Sequence, residues 1–245
     1  MRLQGKVVLV TGAARRVGRC IASVLGEHGA RLALHCHRSR REAAALAADI
    51  TEGFGRDAEV FQADLADARS AARLVDAVGK RFGAIHVLVN NASVYELNRF
   101  GRTSPKDWDL HMDVNVRAPF FLSQAAAPWL RQAGGGKIIN IGDWAGLRPY
   151  VERIPYCVSK AALIALNTVL AKELAPDIQV NAILPGAVLP PDGCPPRRKA
   201  AIAAAAPLKR LGAPRDVAEA VVFLIENGDF ITGTALPVDG GRLIA

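Results

Sequence analysis

The chain has 245 residues, 51% of them hydrophobic and 22% charged, with 22 Gly and 14 Pro, a composition that excludes a disordered or fibrous protein. A chain this long buries roughly 70 to 75% of the surface its unfolded form exposes, so one sizeable core forms without staples; four scattered cysteines, Cys20, Cys36, Cys157 and Cys194, exclude a disulfide framework or a spaced zinc site. Lys and Arg number 31 against 23 Asp and Glu, a formal +8, which suits anionic ligands, but the basic residues fall in short clusters without a zinc-finger, RRM or KH pattern, so nucleic acid is not the expected partner.

The apolar start at 7–10 is too short for a signal-peptide core, which leads us to expect a cytoplasmic protein. The best uncharged apolar run, 161–171, lies between Lys160 and Lys172 and falls short of the roughly 18 to 20 residues of a membrane span. Strands are predicted over 7–10, 31–35, 59–62, 86–89, 137–141, 179–183 and 235–238. Between them, alanine-rich amphipathic stretches predict helices over 18–27, 40–50, 68–82, 108–131, 156–174, 197–206 and 214–226. Strands of near-continuous Val, Ile and Leu alternating with helices specify an α/β protein, a doubly wound parallel sheet of seven strands covered on both faces. No linker divides the chain, so one domain over 1–245 is expected. The proline-rich turn at 190–196 follows the sixth strand, where ligands bind in such sheets. A substrate-side lid over 187–206 is therefore favoured over a domain linker.

Directly after the first strand, Thr11-Gly12-Ala13-Ala14-Arg15-Arg16-Val17-Gly18 opens the first helix. Gly12 suits the tight turn and Gly18 a close backbone approach, with the helix N-terminus presenting N–H groups to a pyrophosphate; the alternative is an ordinary glycine turn. At the end of the second strand, where an NAD enzyme places a carboxylate for the ribose 2′-hydroxyl, the chain reads His35-Cys36-His37-Arg38-Ser39-Arg40-Arg41. Guanidinium and hydroxyl donors there match a 2′-phosphate, so the expected cofactor is NADP(H). A solvated basic surface is the alternative, and His37 either donates to the phosphate or caps the strand. Tyr156 and Lys160, four apart at a helix start, share one helix face; a cation beside a phenol lowers its pKa and makes it a useful proton donor. Tyr95 and Tyr150 have no lysine four residues on.

Taken with Asn90-Asn91-Ala92-Ser93 after the fourth strand, Asn115 in the next helix and Pro185-Gly186 after the sixth strand, these motifs span the whole chain, which resembles the short-chain dehydrogenase/reductase family. The resemblance implies that Tyr156 is the proton donor, that Lys160 lowers its pKa and holds the nicotinamide ribose, and that Asn115 supports a relay water; a helix cap or cross-link is the other reading of Asn115. It also implies that Val17, Asn91 and Ala92, with Pro185 and Gly186, line the cofactor, that Asp64 and Leu65 contact adenine, and that the chain assembles as a homotetramer, with the helix from Trp108 and the tail 243–245 as candidate contact surfaces. The chain departs from the family pattern in three places: Arg16 replaces the middle glycine, Ser93 ends the Asn-Ala-Gly segment, and Asp143 replaces the serine expected ahead of Tyr156, with no Ser or Thr over 141–155. An ionised carboxylate accepts hydrogen bonds and cannot polarise a carbonyl.

These departures resemble the pteridine reductase branch, whose likeness implies NADPH-dependent reduction of a pterin or folate-type small molecule. Arg16 would meet the pterin oxo group and a cofactor phosphate, Ser93 the ring or cofactor, and Tyr95 would stack on the pterin unless it merely anchors its loop. Trp144 and Leu189 would line the side-chain end. Asp143 would orient Tyr156 and connect it to solvent protons, or else be a loop aspartate bonded to backbone amides. A carbonyl or 3-oxoacyl-thioester reductase of the same fold is the rival function.

Overall fold

Strand β1 (Val7–Val10) reads Val-Val-Leu-Val, and all four side chains are buried. Successive residues of a strand face opposite ways, so Val7 and Leu9 enter one apolar cluster and Val8 and Val10 another. The other strands follow the same logic: β2 (Arg31–Cys36), β3 (Ala58–Gln62), β4 (Val87–Asn90), β5 (Gly136–Ile141), β6 (Ile178–Pro185) and β7 (Ala235–Val238). All pair in parallel in the order β3-β2-β1-β4-β5-β6-β7. This computed structural model describes residues 1–190 and 193–245, apart from the side chain of Ala68.

Helices α1 (Arg16–Glu27), α2 (Arg40–Phe54) and α8 (Pro214–Glu226) cover one face through residues such as Ile21, Leu46 and Val221. The other face carries α3 (Ala68–Phe82), α5 (Ala118–Gln132) and α6 (Ile154–Leu174) through Val75, Leu122 and Leu170. The doubly wound sheet expected from the sequence is thus the observed one. Most ends shift by one or two residues; α2 extends four residues past its expected end.

The expected helix over 108–131 differs in a more instructive way. It starts earlier, as α4 (Pro105–Met112), because Ser104 and Asp107 form a reciprocal cap: Asp107 N–H donates to Ser104 Oγ at 3.2 Å and Ser104 N–H donates to Asp107 Oδ2 at 2.9 Å. It then widens into a π turn over Asp113–Arg117 before α5 begins. The helix α6 is long and apolar enough, by length and composition, to cross a membrane, but half of that span is buried in this fold. Over the sheet's carboxyl edge sits α7 (Pro196–Ala205), within the expected lid; of that lid, Pro191 and Asp192 lie outside the described residues.

Candidate active site

A cleft of about 2050 Å³ runs along the carboxyl ends of the strands. That exceeds the roughly 300 to 1000 Å³ of a pocket for one small ligand, leaving room for a dinucleotide and a second molecule. Its floor crosses the place where the strand order reverses, between β1 and β4, the position at which open α/β sheets bind ligands. Of the residues singled out above, Gly12, Arg16, Val17, Gly18, His37, Arg38, Ser39, Asp64, Leu65, Asn91, Ala92, Ser93, Tyr95, Asp143, Trp144, Tyr156, Lys160, Pro185, Gly186 and Leu189 all line it. Asn115 does not.

At one end the turn after β1 is fixed by neutral groups. Gly12 adopts φ +63°, and a Cβ on Gly18 would stand 2.2 Å from the Gly12 carbonyl oxygen, so both positions require glycine. The Asn91 amide donates to the carbonyls of Thr11 and Gly12 at 2.8 and 3.1 Å, and the Thr11 hydroxyl accepts from the N–H groups of Asn91 and Ala92. His35 Nδ1 accepts from Gly12 N–H at 3.1 Å, so its Nε2 carries the proton and donates to Ala63 O at 3.1 Å. Burial lowers the His35 pKa to about 4, which keeps the ring in that neutral form.

The same end fits a nicotinamide dinucleotide phosphate. The N-terminus of α1 has neither a side-chain cap nor an acidic residue in its first turn, so its N–H groups remain for an anion. At the tip of β2, Arg38 is exposed and Ser39 partly so, with no carboxylate between Cys36 and Arg41. Arg16 takes the left-handed conformation, φ +55°, in the place of the family glycine, and its guanidinium donates to Leu189 O at 2.8 Å. The phosphate turn and the lid base are joined by that contact.

At the other end the groups are titratable. Tyr156 Oη donates to Asp143 Oδ2 at 2.6 Å, Tyr150 Oη donates to Asp143 Oδ1 at 3.2 Å, and Ala145 N–H donates to the same oxygen at 2.7 Å. Asp143 thus meets Tyr156 and also caps the short turn Trp144–Gly146. Burial raises the Asp143 pKa, against the hydrogen bonds that favour its ionised form. Burial and the neighbouring Asp143 also raise the Tyr156 pKa well above its usual value. Lys160 Nζ donates to Ile141 O at 2.9 Å and sits 5.7 Å from the Tyr156 ring centre, and its own pKa is lowered by burial to about 8.

Asn115 lies in the π turn, behind the cleft wall. Its amide donates to Val94 O and Ser159 Oγ, and its oxygen accepts from Val94 N–H and Ser93 Oγ. All four hydrogen-bonding positions of the side chain are filled, by the Ser93–Val94 loop and by Ser159 on α6. Tyr95 is 48% exposed, but the Arg153 guanidinium covers one ring face at 3.8 Å and the Tyr156 ring meets it edge-on with centroids 4.7 Å apart.

Residues 12–242 match the family model described as enoyl-(acyl carrier protein) reductase. A short-chain type dehydrogenase/reductase of Picea abies is 34% identical across 98% of this chain and 93% of its own length. The chain belongs to the short-chain dehydrogenase/reductase family. Members of this family are oxidoreductases that work with a nicotinamide cofactor, and so is this protein. It is also similar to a 3-oxoacyl-[acyl-carrier-protein] reductase FabG of Staphylococcus aureus, 34% identical over 96% of this chain and 97% of that one. Among solved structures, FolM alternative dihydrofolate reductase 1 from Brucella canis, complexed with NADP, matches with a TM-score of 0.93 and 35% identity over 100% of this chain and 96% of that one.

Sequence reasoning missed two residues that line the cleft of this oxidoreductase. His35 was visible only as part of a strand, because its partners, Gly12 and Ala63, lie on other elements. Tyr150 has no partner at helical spacing, because its bond to Asp143 crosses a loop. A tyrosine seven residues beyond an aspartate, across a Gly and a Pro, was the available signal.

Proposed function

We propose that the protein is an NADPH-dependent reductase of a pterin or dihydropterin, a small flat heterocycle, with Tyr156 as proton donor. The observation that carries this reading is the Asp143 carboxyl on the Tyr156 hydroxyl at 2.6 Å, in the place where a carbonyl reducer needs a hydroxyl donor. When bound, the cofactor supplies a hydride. Arg38 and Ser39 at the tip of β2 would hold its 2′-phosphate, with His37 and Asp64 beside them, and the α1 N-terminus its pyrophosphate. The solved relative that is an alternative dihydrofolate reductase with NADP supports both halves of the proposal.

Within that reading the chain supplies the proton. Hydride addition to a C=N bond leaves a basic ring nitrogen, and the Tyr156 hydroxyl, kept neutral by burial, gives up a proton to it. Lys160, buried at 2% exposed, stands ready to oppose the phenolate charge that results. Ser93, Tyr95, Trp144, Leu189 and Arg16 shape the substrate end under the lid. Apolar surface at Trp108 and Phe120 and at Ile244 supports assembly of copies of this chain, and a cytoplasmic location goes with this reading.

The rival, a carbonyl or 3-oxoacyl-thioester reductase, is favoured by the FabG relative. Steady-state NADPH oxidation with dihydrobiopterin, dihydrofolate and an acetoacetyl thioester separates the two. In the pterin reading, Asp143→Ser sharply lowers pterin turnover, leaves NADPH binding intact and introduces some ketone reduction. Undiminished pterin turnover in that variant would replace the pterin reading with the carbonyl one.

A further inference from the structure

A carboxyl group between two phenols is an unusual use of buried polar groups, and the two phenols differ. Tyr156 is 5% exposed and Tyr150 is half-buried, and both line the cleft. The Tyr150 ring does not depend on its hydroxyl for position. Its backbone N–H donates to Cys157 Sγ at 3.3 Å, its carbonyl accepts from Cys157 Sγ at 3.8 Å, and its ring packs edge-on against Trp144 with centroids 5.3 Å apart. The hydroxyl is thus held on Asp143 Oδ1 by a ring that is anchored elsewhere.

We propose that Tyr150 is the outer end of a phenol–carboxyl–phenol proton wire and reloads Tyr156 through Asp143 after each turnover. The inference rests on Tyr156 being the proton donor. Its starting state has Asp143 protonated on Oδ2, so that in this state the carboxyl donates to Tyr156 Oη and the phenol hydrogen is free for the product. When Tyr156 has given its proton to the product, the Asp143 Oδ2–H bond breaks as an O–H bond forms on Tyr156. The Tyr150 O–H bond breaks as one forms on Asp143 Oδ1, and water protonates Tyr150. A half-turn of the carboxyl about Cβ–Cγ exchanges its two oxygens and restores the start. One proton enters from solvent, one leaves with the product, and no electrons move along the wire.

The surroundings bear on both protonation states. Burial raises the Asp143 pKa and favours the proton-bearing form, while the hydrogen bonds from Tyr156, the Ala145 N–H and Tyr150, with the Lys160 charge, favour the ionised one. Tyr95 and Cys157 also face the carboxyl electrostatically, and Arg153 acts on both of them. Tyr150 acts through Asp143, so it is a positioning residue.

Two measurements test the wire. In cofactor-free protein labelled with [13C]aspartate, with Asp143→Asn to assign the signal, Tyr150→Phe removes a donor that stabilises the ionised carboxyl. Its titration midpoint should therefore rise by about one pH unit. In turnover, Tyr150→Phe should lower kcat roughly tenfold, below the range of a direct general acid, with KM and NADPH affinity within a factor of two. Rising imidazole concentration should restore kcat, because a diffusing acid replaces the phenol. An unmoved midpoint, an unchanged kcat, or a loss that imidazole does not restore overturns the proposal. Failure of the wild-type protein to reduce any pterin would instead remove the substrate assignment; the carboxyl titration still decides the wire.

Discussion

The two ends of the cleft are built on opposite principles. At the phosphate turn, Gly12, Gly18, Thr11, Asn91 and neutral His35 lock one another through backbone and uncharged hydrogen bonds. Around Asp143 the partners are two phenols, a buried ammonium and a carboxyl, each with a pKa moved by burial or by a neighbour. The first end presents a fixed shape suited to phosphate groups, whose charge stays the same through a hydride transfer. In the proposed reduction, the second holds groups whose protonation changes in every cycle. Geometry therefore governs the binding end, and titration the reacting end.

The sharpest way to separate them is Tyr156→Phe, which removes one oxygen from the reacting end. Turnover should fall by about 10² to 10⁴-fold with NADPH affinity nearly unchanged, measured by steady-state rates and by fluorescence titration of the cofactor. A comparable loss of cofactor affinity would show that the two ends are not independent. Gly18→Ala attacks the other end, since its Cβ would meet the Gly12 carbonyl at 2.2 Å. Overpacking of this kind costs about 1 to 3 kcal/mol, so NADPH and NADH affinity should both drop roughly ten- to a hundredfold while the Asp143 titration stays put. Arg38→Ala is narrower. Losing charge-assisted phosphate contacts costs on the order of 1.5 to 3 kcal/mol, so NADPH should weaken roughly tenfold or more and NADH hardly at all; equal losses would remove Arg38 from phosphate recognition.

The smallest effect concerns pH at the binding end. His35 titrates at about 4 in the folded protein against 6.5 for an ordinary histidine. Between those values the unfolded chain binds a proton that the native protein does not, so stability is complete above about pH 6.5 and declines as pH falls toward 4. From pH 7 to pH 5 the loss should be roughly 1 to 2 kcal/mol, a drop of a few degrees in Tm. His86, lowered mainly by burial, contributes in the same direction, so the measurement is the difference between the parent and His35→Gln. Identical pH slopes in the two proteins would show that His35 is not the group held neutral.

How much of this was legible in the sequence follows the range of each interaction. The sheet was legible because strands such as Val7–Val10 have no polar residue, and their position between helices leaves few topologies. The phosphate turn, the basic tip of β2 and the pair Tyr156 and Lys160 were legible because each is a local pattern with a spacing. The start of α4 was legible too, in Ser104-Pro105-Lys106-Asp107, but a reading that began at the apolar periodicity passed over the cap. The direction of the Tyr156 shift was not legible. It comes from burial of the phenol and from Asp143 reaching its hydroxyl, a contact that closes across a loop. The π turn likewise leaves no residue signature, since it is an extra residue accommodated by packing.

That turn gives the molecule a seam. A regular helix advances 100° per residue, so one extra residue over 113–117 puts the sectors before and after it out of phase. Leu110, upstream, and Val114, within the turn, line the cleft; downstream, Leu122, Ala126 and Leu130 pack into the core. In a straight helix, a substitution series chosen to turn the cleft-facing stripe would also have to preserve the core-facing one along the same cylinder. With the seam, the two stripes are separate inheritable units, and this stretch can diverge in what it admits to the cleft while its grip on the sheet stays as it is.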